Sequence, residues 1–226
     1  MKNGSIGFDE WQFDSDIASV FVEHARQHIP NYESVINKCV RYCELNLDRQ
    51  ASIIDVGCAT GHTLSRLYES GFRNLHGVDN SIHMIKLAPK DIATYVTSDE
   101  LPKGHYDMIL CNWTLHFIKN KKKYLRSIIN NLNEGGAVII SEKTSKDPQM
   151  IQMYHDHKKS LGVSETEIQR KQKQLENVMF VKSTDWYINF LESIGFEVRV
   201  IDADWCFTTF LCRKEKWINA TYLTGS

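Results

Sequence analysis

An α/β fold is what this sequence predicts: a largely parallel sheet with right-handed crossovers, a helical lid insertion and an antiparallel C-terminal hairpin. Three observations predict it. Strand-like and helix-like patterns alternate from residue 53 to residue 141. A glycine loop, Asp55-Val-Gly57-Cys-Ala-Thr-Gly61, joins the first strand of that series to its first helix. Two β-rich runs, 196–201 and 205–213, stand near the end with only Asp202-Ala-Asp204 between them, a turn short enough to make them antiparallel.

The elements follow in order. Asp14 or Ser15 can cap a helix in which Ile17, Val20, Phe21 and Ala25 recur at helical spacing, and Pro30 stops it. From Tyr32 a second amphipathic stretch runs through Val35, Ile36, Cys39, Val40 and Cys43, so residues 1–50 are read as N-terminal helices. The apolar run Ile53–Val56 is the first strand. Helices are expected at 62–70, 81–88 and 120–132, and strands at 74–79, 92–97, 106–111 and 136–141. After Glu142 the pattern gives way to about 40 polar, helical residues, 143–182, a natural lid beside the strand ends. A last helix, 184–194, ends at Gly195.

The chain has 226 residues and is read as one domain, 1–226, long enough to bury a substantial core. Its hydrophobic and charged fractions, 42% and 24%, are ordinary for a globular protein. A net charge of −1 supplies no global field to hold a polyanion, so nucleic acid is not an expected partner. The basic runs Lys119-Asn-Lys-Lys-Lys123 and Arg170-Lys-Gln-Lys173 read as solvated helix faces. Residues 1–5 carry no apolar core of signal-peptide length and no 18 apolar residues run together, so no membrane span is expected and the expected location is cytoplasmic. The cysteines Cys39, Cys43, Cys58, Cys111, Cys206 and Cys212 form no CxxC pair and lack clustered histidines; reduced core residues are expected, and no metal site. Without secretion, the sequons at Asn112 and Asn219 are chance matches.

The glycine loop carries the chemistry. Gly57 and Gly61 let the backbone turn sharply and approach a ligand, and the helix that follows points its amide N–H groups at it. A dinucleotide fingerprint requires Gly-x-Gly-x-x-Gly, whereas this loop has Gly57-x-x-x-Gly61 with an acid, Asp55, two residues earlier; spacing and acid fit S-adenosylmethionine better than a pyrophosphate. Asp79, at the tip of the next strand and 24 residues after Asp55, can accept both ribose hydroxyls. Asp99, after the third strand, can accept from an adenine amino group. Asn112, ending the fourth, is placed for the amino acid end of the cofactor, with Trp113 as a wall.

At these residues the chain resembles one family, the carboxy-S-adenosyl-L-methionine synthases that serve modification of the tRNA wobble uridine. The stretches are Trp11-Gln-Phe-Asp14, Ile29-Pro-Asn-Tyr32, Asp55-Val-Gly-Cys58, Val78-Asp-Asn-Ser81, Asn112-Trp-Thr-Leu115, Gly135-Gly-Ala, Ser141-Glu-Lys143 and Leu175-Glu-Asn-Val-Met179, with His155-Asp156 and Ser164-Glu165 in the lid. The resemblance implies a homodimeric class I methyltransferase fold with a Rossmann-like sheet. It also implies that Tyr32, Gly57, Cys58, Ala59, Asp79, Asn80, Asp99, Glu100 and Asn112 line the cofactor.

Such synthases convert S-adenosylmethionine, with prephenate as the carboxyl source, into a cofactor whose sulfonium methyl carries a carboxylate. An arginine six residues before the valine of Leu-Glu-Asn-Val-Met grips that carboxylate; here the position is Gln172. A tyrosine in the family's Gly-Tyr-Ser-Glu is replaced by Val163. Glutamine offers one neutral donor where a bidentate charge pair is needed. Arg170, Lys171 and Lys173 neighbour it, but adjacent helical residues do not share a face. The expectation is a scaffold that has reverted to plain S-adenosylmethionine.

Methyl transfer needs alignment of a nucleophile with the sulfonium methyl, plus a base where the nucleophile carries a proton. His116, His155 and His157 are the candidate bases, with Tyr154 behind them, and Glu142 is a candidate partner of the lid. Three readings stand open: a methyltransferase acting on a small molecule, a carboxy-S-adenosyl-L-methionine synthase with a displaced cation, and a non-catalytic cofactor-binding dimer. Met150, Ile151, Met153, Leu161 and Val178 offer apolar surface for a homodimer.

Overall fold

The computed structural model describes residues 15–176 and 178–214. The Trp11 to Asp14 motif, Asn177 and the sequon at Asn219 lie outside the described residues.

Seven strands form one sheet: β1 (Ile53–Val56), β2 (Leu75–Asp79), β3 (Thr94–Thr97), β4 (Tyr106–Asn112), β5 (Leu132–Lys143), β6 (Phe196–Asp204) and β7 (Phe207–Lys214). Their order is β3-β2-β1-β4-β5-β7-β6. The first five are parallel and β7 is antiparallel to both β5 and β6. Strand order reverses beside β1, and the carboxyl ends on either side of that point are where such sheets hold ligands.

Strand residues alternate faces, and here both faces are covered. Ile53, Met108, Leu110, Ile139 and Leu211 point into one apolar cluster, which is completed by α3 (Tyr32–Asn46) and α4 (His62–Glu69). Their neighbours Ile54, Ile109, Cys111, Ile140 and Phe210 point into the other, against α6 (Lys121–Asn130) and α9 (Thr184–Ser193). That is why the parallel strands read as unbroken apolar runs. All six cysteines are buried and unpaired.

The helix expected from residue 15 is two helices, α1 (Ser15–Ser19) and α2 (Phe21–His28). Val20 departs from helical geometry at φ −120°, ψ 13°, and its N–H reaches back only three residues to the Ile17 carbonyl. A further correction concerns the last turn, which lies at Trp205–Cys206 instead of 202–204. The β6–β7 register shifts between Val200 and Asp202, carrying β6 on to Asp204, and Trp205 turns the chain at φ 50°. Helix α6 ends at Asn130, and β5 begins at Leu132, earlier than the pattern suggested.

Between β2 and β3 lies α5 (Ile82–Leu87), capped by the Ser81 hydroxyl accepting from Met84 N–H. The insertion 143–182 contains α7 (Pro148–Ser160) and α8 (Glu165–Glu176). Asp147 caps α7 by accepting from Gln149 and Met150 N–H, with Pro148 at the first helical position, where its missing donor costs nothing. Three contacts tie the lid down. Phe180 N–H donates to the His116 carbonyl at 2.6 Å, the Tyr154 hydroxyl donates to the His28 carbonyl, and Lys171 on α8 meets His24 and His28 on α2.

Candidate active site

A cavity of about 700 Å³ opens at the carboxyl ends of the parallel strands, roofed by α7, α8 and α2, and within the size range of small-molecule sites. Tyr32, Asp55, Gly57, Cys58, Ala59, Asp79, Asn80, Asp99, Asn112, His116, His155 and Gln172, all singled out from the sequence, line it. Gly61, Glu100 and His157 do not. Gly61 starts α4 at φ 78°, and a Cβ there would meet the Tyr95 hydroxyl at 2.5 Å, so its freedom serves the turn. Glu100 is exposed and its N–H turns back to the Ser98 hydroxyl. The His157 ring faces Trp205 at 6.2 Å.

The loop after β1 is held by its neighbours. Gly57 and Cys58 N–H both donate to the Val78 carbonyl, at 2.8 and 3.1 Å. Gly57 adopts φ 71°, and a Cβ on it would stand 2.0 Å from Thr114 Oγ1. Asp79 Oδ2 accepts from Ala59 N–H at 3.0 Å and Oδ1 from Ser81 N–H at 2.8 Å. The acid therefore builds the loop, and each oxygen keeps a further lone pair for a hydroxyl. Burial raises the Asp79 pKa, with those two hydrogen bonds opposing the rise. Asn80 Nδ2 donates to Asp99 Oδ1 at 3.1 Å, linking the tips of β2 and β3.

Asp55 is 4% exposed and no hydrogen bond reaches its carboxyl among the described residues. Burial, and then the neighbouring Asp79 charge, push its pKa up to about 8. A buried, unpartnered acid on a cavity wall is a socket for a positively charged donor. Asn112 is fixed nearby, its Oδ1 accepting from the Ser141 hydroxyl at 2.7 Å. The Trp113 ring packs 4.9 Å from that of Tyr32, and Trp113 holds φ 55° to do so.

Beyond Asn112 the chain makes a tight turn, Leu115–Phe117, whose centre is Glu142. This carboxylate is fully buried; Oε1 accepts from Thr114 N–H at 3.0 Å and Leu115 N–H at 2.7 Å, while Oε2 lies 2.8 Å from His116 Nδ1. Tyr187 O–H approaches Oε2 at 3.5 Å. Glu142 thus organises the turn after β4, and its partners lie there and on α9 instead of on the lid. A carboxylate against Nδ1 makes that atom the donor, so neutral His116 keeps its lone pair on Nε2.

The far end of the cavity is basic, which sequence reasoning missed: Lys171, expected on a solvated helix face that Gln172 does not share, is buried and lines the cavity together with Gln172. Lys143 ends β5, Lys158 comes from α7 and Lys171 from α8. Lys171 pairs with Glu167 at 2.9 Å and with the Nε2 atoms of His24 and His28. Burial first, and then the Lys171 charge, hold His24 at about 4 and His28 at about 3, which suits both rings to accept from the ammonium. Lys158 lies 3.9 Å from the centre of the Tyr154 ring, and Lys143 approaches the same ring at 5.4 Å. Among the described residues no group of three or more His, Cys, Asp or Glu could hold a metal ion, and no helix is long and apolar enough to cross a membrane.

This strand order, with a glycine loop after β1 and a ligand-sized cavity over the strand ends, defines a class I methyltransferase fold. Residues 23–199 match the family described as methyltransferase domain. Among solved structures, the plantazolicin methyltransferase in complex with SAH superposes at TM-score 0.66 and 14% identity, covering 88% of this chain and 90% of that one. A putative S-adenosyl-L-methionine-dependent methyltransferase from Methanococcus maripaludis does so at 0.64 and 18%, covering 95% and 100%. The carboxy-S-adenosyl-L-methionine synthase of Helicobacter hepaticus is 33% identical over 91% of this chain and 95% of its own length, and that of Nautilia profundicola 32% over the same shares. The chain belongs to this methyltransferase-domain family of carboxy-S-adenosyl-L-methionine synthases, and it is an enzyme of the S-adenosylmethionine-dependent class.

Proposed function

We propose that the protein transfers a methyl group from S-adenosylmethionine to a small molecule, on the scaffold of the carboxylated-cofactor synthases. The observation that carries this reading is Gln172. It lines the cavity where the resemblance puts a carboxylate-gripping arginine, and it brings no charge.

The residues present fit the plain cofactor. Gly57 leaves a cradle that a Cβ would fill, Asp79 keeps lone pairs for ribose hydroxyls, and Asp55 offers an unpartnered carboxyl to an ammonium. When bound, S-adenosylmethionine supplies a methyl on a sulfonium, and transfer leaves the neutral thioether. The chain's own work is alignment, exclusion of water beneath α7 and α8, and removal of the acceptor's proton. His116 is the proposed base: Glu142 holds Nδ1–H and fixes the ring, so Nε2 can take the proton. His155, also on the wall, is the second candidate. For His157, which lies off the cavity, no part in the chemistry is proposed.

The second reading is prephenate-dependent synthesis of the carboxylated cofactor for tRNA wobble uridine modification. The names of the relatives and the lysines at the cavity's far end favour it. Gln172→Arg separates the two. On the methyltransferase reading the change raises affinity for the carboxylated cofactor at least tenfold, since a charged hydrogen bond is worth roughly 1.5–3 kcal/mol. If the unaltered protein already prefers the carboxylated cofactor and the arginine adds nothing, the synthase reading stands in its place.

The protein is further proposed to be a homodimer. Met153 and Leu161 on the lid are 39% and 46% exposed, whereas Ile151 and Val178 turn inward to the cavity. The exposed pair is apolar surface suited to a second copy.

A further inference from the structure

The cavity has two electrically opposite ends. Asp55, Asp79 and Asp99 come from the tips of β1, β2 and beyond β3, where the proposed cofactor would sit. Lys143 and Lys158 line the other end, at 5.4 and 3.9 Å from the centre of the Tyr154 ring.

Two of the lid cations have a carboxylate in reach. Lys159 pairs with Asp156 and Glu165, and Lys171 with Glu167. Lys158 is 7% exposed and forms no ion pair or hydrogen bond among the described residues; only the face of Tyr154 meets it. The Lys143 side chain, half-buried, likewise forms no ion pair or hydrogen bond among the described residues and meets the same ring. Burial pushes the Lys158 pKa down to about 7, and the charges of Lys143 and Lys171 push it further the same way. Burial likewise lowers Lys143. Close by, His28 is buried and its Nδ1 has no partner among the described residues, while Nε2 is taken by Lys171. In the neutral ring that leaves an unused N–H donor.

A buried lysine and a half-buried one, with no carboxylate paired to either among the described residues, form an incomplete arrangement. Burying charge is costly unless it is paired, and an anion with several oxygens would pair both lysines at once. Phe117, Ile118, Tyr154 and Phe207 supply apolar wall beside them.

We propose that Lys143 and Lys158 are the seat for the anionic group of the methyl acceptor, an acidic small molecule anchored through carboxylate or phosphate oxygens. This rests on the methyltransferase reading and names its substrate class. The acid's charge orients the body of the acceptor along the aromatic wall towards His116, with the acidic end of the cavity repelling the reverse orientation.

Calorimetry on the S-adenosylhomocysteine-loaded protein tests it with three ring compounds of similar shape: benzoate, phenyl phosphate and neutral benzamide. At least one of the two anions should bind tenfold or more tighter than benzamide, and which of them binds tighter distinguishes carboxylate from phosphate. Lys158→Met and Lys143→Met should each lose at least tenfold for that anion while S-adenosylhomocysteine affinity stays within twofold. Lys158→Arg should retain most of it. Anions binding no better than benzamide, or surviving both methionine changes unaltered, would overturn the proposal and leave the cofactor reading standing. Failure of the wild-type protein to bind S-adenosylhomocysteine would remove the cofactor reading and this proposal with it. Melting curves on each variant establish that it is folded.

Discussion

Gly57→Ala is the smallest change that reaches the centre of the site, and its cost can be worked from two independent sources. The residue sits at φ 71°, where an L side chain costs roughly 1–2 kcal/mol. The new methyl would also stand 2.0 Å from Thr114 Oγ1 and 2.9 Å from Cγ2. Thr114 can move only by giving up its hydroxyl contacts to the Val56 and Asn112 carbonyls, at 3.0 and 3.1 Å, and an unmade buried hydrogen bond costs roughly 1–3 kcal/mol. The total, roughly 2–5 kcal/mol, is a large part of a typical domain's stability. Urea denaturation of Gly57→Ala, Thr114→Gly and the double variant resolves the two parts. With Thr114 cut back the clash is gone, so Gly57→Ala should then cost only the backbone strain, giving a coupling of roughly 1–3 kcal/mol. Strict additivity would refute the argument that Thr114 is what forbids a side chain here. The single variant, with its loop displaced, should also bind S-adenosylhomocysteine at least tenfold more weakly.

Three further outcomes are expected. Asp79→Ala should abolish detectable S-adenosylhomocysteine binding by calorimetry and lower the melting temperature while leaving a folded protein, because the carboxylate also serves Ala59 and Ser81 N–H; unchanged affinity would take the acid out of the site. Asp55 rises from 3.8 in the unfolded chain to about 8 when folded, so its contribution is present below pH 3.8 and lost as pH climbs through 8. Asp55→Asn should therefore stabilise the ligand-free protein at pH 8, with a ceiling of roughly 4–6 kcal/mol, and flatten its stability between pH 4 and 8; an unaltered pH profile in denaturation would count against a neutral buried acid. Light scattering at micromolar concentration should give twice the chain mass, and a monomer would recast Met153 and Leu161 as ordinary exposed apolar residues.

The sheet was legible because its signals are local. Apolar runs bounded by Gly57, Asp79 and Asn112 mark strands that end at the ligand, and the loop's spacing sets its chemistry. Pairing register is a different matter: the shift at Val200/Asp202 that carries β6 on to Asp204 depends on β7, and nothing within 196–205 announces it. Glu142 showed the same limit. At the end of a strand it looked like a lid partner, yet its bonds go to a turn 27 residues earlier. The basic end of the cavity was hidden for the same reason. Lys143, Lys158 and Lys171 lie on three elements, and His24 and His28 look like an ordinary helix face until α8 is laid across α2. One signal was available: His24 and His28 are four apart and share a face, as are Glu167 and Lys171.

Mass spectrometry of the small molecule released from the purified wild-type protein tests the central claim most directly. With Gln172 in place of a carboxylate-binding arginine, the ligand released should be S-adenosylmethionine or S-adenosylhomocysteine. Recovery of mainly the carboxylated cofactor would contradict the account, and would make a lysine at the cavity's basic end the group that holds its carboxylate.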